Sequence, residues 1–291
     1  MFDLSLEITE NNGVFSGELE YSSELFLEET VASYANRYIE ILQRCLNSTD
    51  ETIENTALKA DASISTLLSW GRGDTVDVEA LTIAGLFAQQ CDKTPDKIAV
   101  DFDEKCFTYG DLKKDVVLLA SELNRLGCRQ GDTVALYLAR DVDVVVGYLA
   151  AHWIGAAPCY IDPQYPSARV STMLMAASVN CVVTNSTLKS HISADEYVVL
   201  ERSKLPVGDN ADRLLAPRCQ PNDIAFIAFT SGTTGTPKLV PVSHQAVCAR
   251  LEANTMLFGH FGTNDKLAHC YSFNYDGGLL SLFWPITRGI E

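Results

Sequence analysis

Hydrophobic and polar residues alternate over Phe2–Ile8 and, less strictly, over Val14–Tyr21, on either side of Asn11-Asn12-Gly13. A period of two puts every second side chain on one face of a strand, and Asn-Gly between two such runs signals a hairpin. The period then lengthens: between Phe26 and Leu46 the apolar positions are Val31, Tyr34, Ala35, Tyr38, Ile41, Leu42 and Cys45, which predicts an amphipathic helix. Thr49, Asp50, Glu51, Thr52, Asn55 and the turn Gly71-Arg72-Gly73-Asp74 mark a linker with a short helix around Ile64–Trp70. Beyond it, helices predicted over Ala80–Cys91, from Thr108 as N-cap to Leu126, over Val142–Trp153 and over Ser167–Ala177 alternate with strands over Lys97–Phe102, Thr133–Leu138, Ala157–Ile161 and Cys181–Thr184. The expected class is α/β, with mostly parallel sheets flanked by helices, preceded by a small α+β element. A lone hairpin with one helix is marginal as a domain, so that element reads as the end of something larger.

Composition narrows the function. With 47% hydrophobic and 21% charged residues the chain is globular, and a net charge of −16 without a basic block makes nucleic acid a poor partner. Val144–Ile161 is uncharged, but Gly147, His152, Gly155 and Pro158 interrupt it, which favours a buried helix, turn and strand over a membrane span. The start of the chain, with Asp3, Glu7 and Glu10, lacks the basic region of a signal peptide. Nine cysteines without a C-x-x-C read as reduced, mostly buried thiols of a cytoplasmic protein.

The chemistry concentrates in Thr230-Ser231-Gly232-Thr233-Thr234-Gly235-Thr236-Pro237-Lys238, which follows the apolar strand candidate Ile224–Phe229. Two glycines, several hydroxyls and a lysine make a phosphate cradle in composition. Pro237 stands where the Walker spacing needs its second glycine, so the P-loop reading fails. The string resembles the signature loop of the adenylate-forming enzymes, in particular the amino-acid adenylation domains of nonribosomal peptide synthetases. The family usually has glycine after the lysine; this chain has Leu239, which restricts the backbone there.

Other stretches resemble the same family. Phe107–Leu112 is one, and Gly155–Pro163 is another, in which the usual tyrosine and proline are exchanged at Tyr160 and Pro158. Leu19-Glu20-Tyr21-Ser22 with Leu25-Phe26 resembles the C-terminal tail of a condensation domain, although the paired-histidine catalyst is absent. The resemblance implies a condensation tail over 1–52, a linker over 53–78 and the N-terminal part of an adenylation domain over 79–291. His244 is read as a capping or packing histidine.

Ser272-Phe273-Asn274-Tyr275-Asp276-Gly277-Gly278-Leu279-Leu280 could be a helix start with Asp276 as its cap and Leu279, Leu280 and Phe283 as a buried stripe. By resemblance, Asp276 instead holds the α-ammonium of an amino acid, and Gly277 and Leu280 line a pocket for a neutral side chain of medium or large size. A register shifted by two would put Asn274 there and suit an aryl or hydroxy acid. The implied reaction is attack of a carboxylate on the α-phosphate of ATP. The phosphates would be held by Thr230, Ser231, Gly232, Thr233, Thr234, Gly235 and Lys238, with Thr233 and Lys238 as catalytic groups and Mg2+ bridging phosphate oxygens. No metal ligand is assigned within the chain. The implied partners are the amino acid, a condensation domain and a carrier domain bearing phosphopantetheine. The acidic Mg2+ ligand and the C-terminal domain with its catalytic lysine are expected elsewhere, so the piece alone is expected to turn over little. A fatty-acyl or aryl ligase of the superfamily, or a noncatalytic remnant, are the alternatives.

Overall fold

A computed structural model describes residues 2–47, 50, 52, 63–73, 78, 81–192, 197–201, 216–230 and 237–291. Contacts divide the chain into two units, Met1–Thr75 and Val76–Glu291.

In the first unit β1 (Leu4–Asn11) and β2 (Val14–Tyr21) pair antiparallel, with Asn11 opposite Val14. Asn12 and Gly13 both take positive φ, 50° and 80°. That is the two-residue turn whose twist matches its strands, and it explains why Asn-Gly stands there. Helix α1 (Glu28–Asn47) begins two residues later than its period suggests and buries only Val31. The short helix α2 spans Ser63–Trp70.

The second unit is built on a four-stranded parallel sheet. Its strands are β5 (Thr133–Leu136), β6 (Ala157–Tyr160), β7 (Cys181–Thr184) and β8 (Val198–Glu201), in the order β6-β5-β7-β8. Period two along these strands feeds two cores. Val134, Leu136, Tyr160, Cys181 and Val183 join one side, with α3 (Ile83–Lys93), α4 (Tyr109–Arg125), α5 (Val142–Ile154), α7 (His244–Phe258) and α8 (Asp276–Ile286). Ala135, Tyr137, Ala157, Cys159 and Val182 face the other, with α6 (Ser167–Ala176). Burial on both faces is why these strands read as continuous apolar runs.

Helix α5 is buried from Val144 to Ile154, and Gly155 closes it in the left-handed conformation before β6 starts. No helix among the described residues is long and apolar enough to cross a membrane. The exchange of Pro158 and Tyr160 is accommodated by strand polarity. The N–H groups of Ala157 and Ile161 reach β5 at Asp132 and Leu136, so the nitrogen of Pro158, one position out of phase, faces away from that ladder and no bond is lost. Tyr160 turns inward and donates to the carbonyl of Leu138 at 3.0 Å. Thr108 caps α4, its hydroxyl accepting from the Asp111 N–H at 3.1 Å and donating to the Asp111 carboxylate at 2.7 Å.

Not every sheet is parallel. Strands β3 (Ile98–Phe102) and β4 (Lys105–Thr108) form an antiparallel hairpin through Asp103 and Glu104, both at positive φ. Its second strand lies within the stretch expected to lead straight into α4. The other antiparallel pair carries the candidate phosphate loop.

Candidate functional site

The strand β9 (Ile224–Thr230) ends at the first residue of the loop, and β10 (Lys238–Ser243) begins at its last. The two pair antiparallel with Thr230 opposite Lys238. Thr230 and Lys238 therefore stand side by side where the candidate loop leaves and re-enters the paired strands. Ser231, Gly232, Thr233, Thr234 and Gly235 lie outside the described residues, and of the expected phosphate ligands the structure places Thr230 and Lys238, both exposed. A P-loop passes directly into a helix, whereas here α7 starts only after β10 is complete. Among the described residues the donors on offer are the Thr230 hydroxyl and the Lys238 ammonium, both exposed, which suits phosphate oxygens without a helix terminus. Leu239 sits in the ladder opposite Phe229, an extended position where a side chain is at home, so the missing glycine has a structural reason.

The second part of the site is the segment leading into α8. Phe273 is buried and framed by three groups: His269 stacks on it at 4.7 Å, Tyr160 meets it edge-on at 5.5 Å and the Arg140 guanidinium lies 6.0 Å from its centroid. Arg140 also donates to the Tyr271 carbonyl at 2.6 Å, and His269 Nε2 donates to the Gly278 carbonyl at 2.9 Å. Burial holds the His269 imidazole below its ordinary pKa. The contacts of Tyr160 and Arg140 join residues more than a hundred apart in the chain, and no local pattern announces them.

Asp276 is the first residue of α8, is exposed, and accepts from the Gly277 N–H at 2.8 Å. It thus satisfies one donor of the first turn, as the capping reading expects, although Tyr275 occupies the boundary position. Asn274 is half-buried, with its amide directed to Asp162 Oδ2 at 3.5 Å. Gly277 and Leu280 are half-buried. Gly277 leaves less room than its size suggests, because a Cβ there would lie 2.5 Å from the Tyr275 ring.

The two parts meet. Ile227, Ala228 and Phe229 of β9, Phe273, Asn274, Leu279 and Tyr160 enclose a cavity of about 10 Å3, room for about one water. A larger cleft of about 440 Å3 lies between β3, the start of α5 and the end of α8, walled by Val142, Val145, Phe273 and Pro285. On its rim Lys266 pairs with Asp101 at 3.7 Å and with Glu291. No cluster of three or more His, Cys, Asp or Glu among the described residues could hold a metal.

The sequence over residues 87–291 matches the family described as AMP-binding enzyme. The chain belongs to the AMP-binding enzyme family. Along its whole length this AMP-binding chain is 31% identical, over 293 residues, to gramicidin S synthase 2 of Brevibacillus brevis, covering 100% of the chain and 6% of that relative. It is a nonribosomal peptide synthetase adenylation-domain sequence, and it spans only a small part of the curated relatives it matches. The nonribosomal peptide synthetase FmoA3 has the same fold over 99% of this chain and 31% of its own, at a TM-score of 0.76 and 22% identity. The NpsA N-terminal subdomain of Klebsiella oxytoca matches over 73% of this chain and 54% of its own, at a TM-score of 0.65 and 23% identity.

Proposed function

We propose that the chain supplies the phosphate loop and the amine-binding acid of an amino-acid adenylation site. A carboxylate oxygen of the amino acid attacks the α-phosphorus of ATP, the bond to the β-phosphate oxygen breaks, and pyrophosphate leaves. The aminoacyl-adenylate then passes to the phosphopantetheine thiol of a carrier domain. The nucleophile needs no activation, so the protein's work is positioning and stabilisation of phosphoryl charge. Lys238 and Thr230 hold phosphate oxygens from the hairpin mouth, with Ser231, Gly232, Thr233, Thr234 and Gly235 completing the cradle. Mg2+ bound with the nucleotide would supply neutralisation of phosphate charge. FmoA3 has been captured in an AMPPNP-bound form and with α-methyl-L-serine-AMP, which supports ATP and an amino acid as ligands here.

The observation that carries the reading is the small cavity where β9, the strand leading to the phosphate loop, meets Phe273, Asn274 and Leu279, which lie on either side of Asp276 in the sequence. The choice of Asp276 over Asn274 is supported by their surroundings: Asn274 spends its amide on Asp162, while Asp276 is exposed. A carboxylate facing an ammonium gives charge-assisted hydrogen bonds that an amine-free acid forfeits. The condensation-tail reading of 1–52 is supported by the two-unit division, since the NpsA N-terminal subdomain covers 73% of the chain, a share close to that of Val76–Glu291, whereas FmoA3 covers 99% of it. A reducing cytoplasmic setting goes with six buried thiols.

The test is ATP–pyrophosphate exchange, on the protein in its full natural reading frame, against a panel of amino acids and amine-free acids. Exchange with one amino acid supports the reading. Exchange only with amine-free acids transfers the site to the acyl or aryl ligases, and none with any acid leaves an interaction module.

A further inference from the structure

Two histidines that the phosphate and substrate roles leave unused meet inside the second unit. His152 lies on α5 and His244 opens α7, and both are fully buried. Their ring centroids are 4.7 Å apart and the rings cross at 74°. Each ring is tied at one nitrogen. The N–H of Ile83, first residue of α3, donates to Nδ1 of His244 at 3.3 Å. An accepting Nδ1 puts the proton of a neutral imidazole on Nε2. His152 is the reverse: its Nε2 lies 2.5 Å from the carbonyl of Ala225 on β9. A carbonyl only accepts, so the proton is on Nε2 and Nδ1 keeps its lone pair.

The two nitrogens left over, Nε2 of His244 and Nδ1 of His152, are buried and have no partner among the described residues. One is a donor and the other an acceptor. Burial pushes both rings well down in pKa, His244 to about 4, which keeps them neutral at ordinary pH. Phe283 at 5.6 Å and Tyr148 at 6.3 Å pack against His152, an apolar wall in which two orphaned polar atoms are costly.

We propose that His244 Nε2–H donates to His152 Nδ1, completing a relay from the Ile83 N–H through both rings to the Ala225 carbonyl, and that this relay positions β9 for the phosphate loop. The bond requires the two rings, crossed at 74° with centroids 4.7 Å apart, to turn their free nitrogens toward each other. Ala225 and Thr230 lie on the same seven-residue strand, so a bond that fixes the strand's base also fixes the hairpin mouth. His152 and His244 are positioning residues in this scheme, and their functional half rests on the phosphate reading of 230–238.

The test has two arms on the full chain. In the 15N-labelled protein, nuclear magnetic resonance should show both rings protonated at Nε2 and a scalar coupling between His244 Nε2 and His152 Nδ1. Protonation of His152 at Nδ1, or no coupling, overturns the relay. In the second arm inorganic pyrophosphate with Mg2+ is titrated calorimetrically. His152→Leu keeps the volume but loses donor and acceptor, and its affinity should fall about tenfold. His152→Gln retains an amide N–H for Ala225 and an amide oxygen for His244, and should stay within about threefold of the parent. A folded His152→Leu chain that binds pyrophosphate as tightly as the parent overturns the positioning role. If the parent itself binds no pyrophosphate, the phosphate reading and the positioning role fall together, and the ring coupling alone decides whether the relay exists.

Discussion

Substituting Gly278 by alanine sets two effects of opposite sign against each other. Gly278 lies in the first turn of α8, and helix propensity alone favours alanine there by about 1 kcal/mol. Yet a Cβ at this position would stand 2.0 Å from the Ser272 carbonyl oxygen and 2.9 Å from its carbon. The obstacle is backbone, so the start of the helix must move away from Ser272. Overpacking of this kind costs about 1–3 kcal/mol. The shift also strains the Gly278 N–H bond to the Tyr275 carbonyl at 3.0 Å and the His269 bond to the Gly278 carbonyl at 2.9 Å, each worth about 1 kcal/mol. Sterics win, and Gly278→Ala should lose about 1–3 kcal/mol net. The neighbouring Gly277→Ala is the control. Its obstacle is the Tyr275 ring at 2.5 Å, a side chain 60% exposed and free to swing aside. That variant should be neutral or more stable by up to about 1 kcal/mol. Urea unfolding followed by tryptophan fluorescence reads both, and the Gly278→Ala midpoint should fall by about 0.5–1 M at unchanged slope. A Gly278→Ala midpoint at or above the parent's would refute the close approach that sets the start of α8.

Three further outcomes are expected. Phe283→Ala removes a fully buried ring that meets Tyr148 edge-on at 5.7 Å, and should cost about 3–5 kcal/mol in denaturant titration. Stability should be full above pH 6.5 and fall on acidification towards pH 4. The unfolded histidines bind protons from 6.5 downward, whereas burial holds folded His244 to about 4 and folded His152 also low. His244 alone accounts for a loss on the order of 3 kcal/mol, and a melting temperature flat between pH 7 and 4.5 would contradict this. Lys238→Ala removes the only cation at the described hairpin mouth pairing, Thr230 with Lys238, and should weaken Mg-pyrophosphate binding tenfold or more in calorimetry, a charged hydrogen bond being worth about 1.5–3 kcal/mol.

Periodic features were legible in the sequence. The Asn12-Gly13 hairpin, the buried helix over 142–154 and the strand-helix alternation of a parallel sheet all follow from local spacing, because period and turn chemistry are local quantities. Three things were not legible. The hairpin of β3 and β4 turns through Asp103 and Glu104 at positive φ, a conformation that a non-glycine pair does not announce. The return of β10 on β9 was hidden because the short apolar run Leu239–Val242 carries no signal of which strand it pairs with or in which direction. The frame of the substrate segment depends on Arg140 reaching Tyr271 and Asn274 reaching Asp162, pairs more than a hundred residues apart that no window sees. Of the candidate site, the loop and Asp276 came from a motif. The Tyr275 ring over Gly277 came only from the structure and narrows the room that glycine suggested.

The central claim is that Asp276 reads the substrate's amine while the hairpin holds the nucleotide phosphates. The most direct measurement is kcat/KM for ATP–pyrophosphate exchange, on the protein in its full reading frame, with the best amino acid and with the same acid lacking its amine, in the parent and in Asp276→Ala. The parent should prefer the amino acid strongly, and the substitution should remove most of that preference while Mg-pyrophosphate binding is unchanged. An Asp276→Ala protein that still discriminates by amine as well as the parent would contradict the claim.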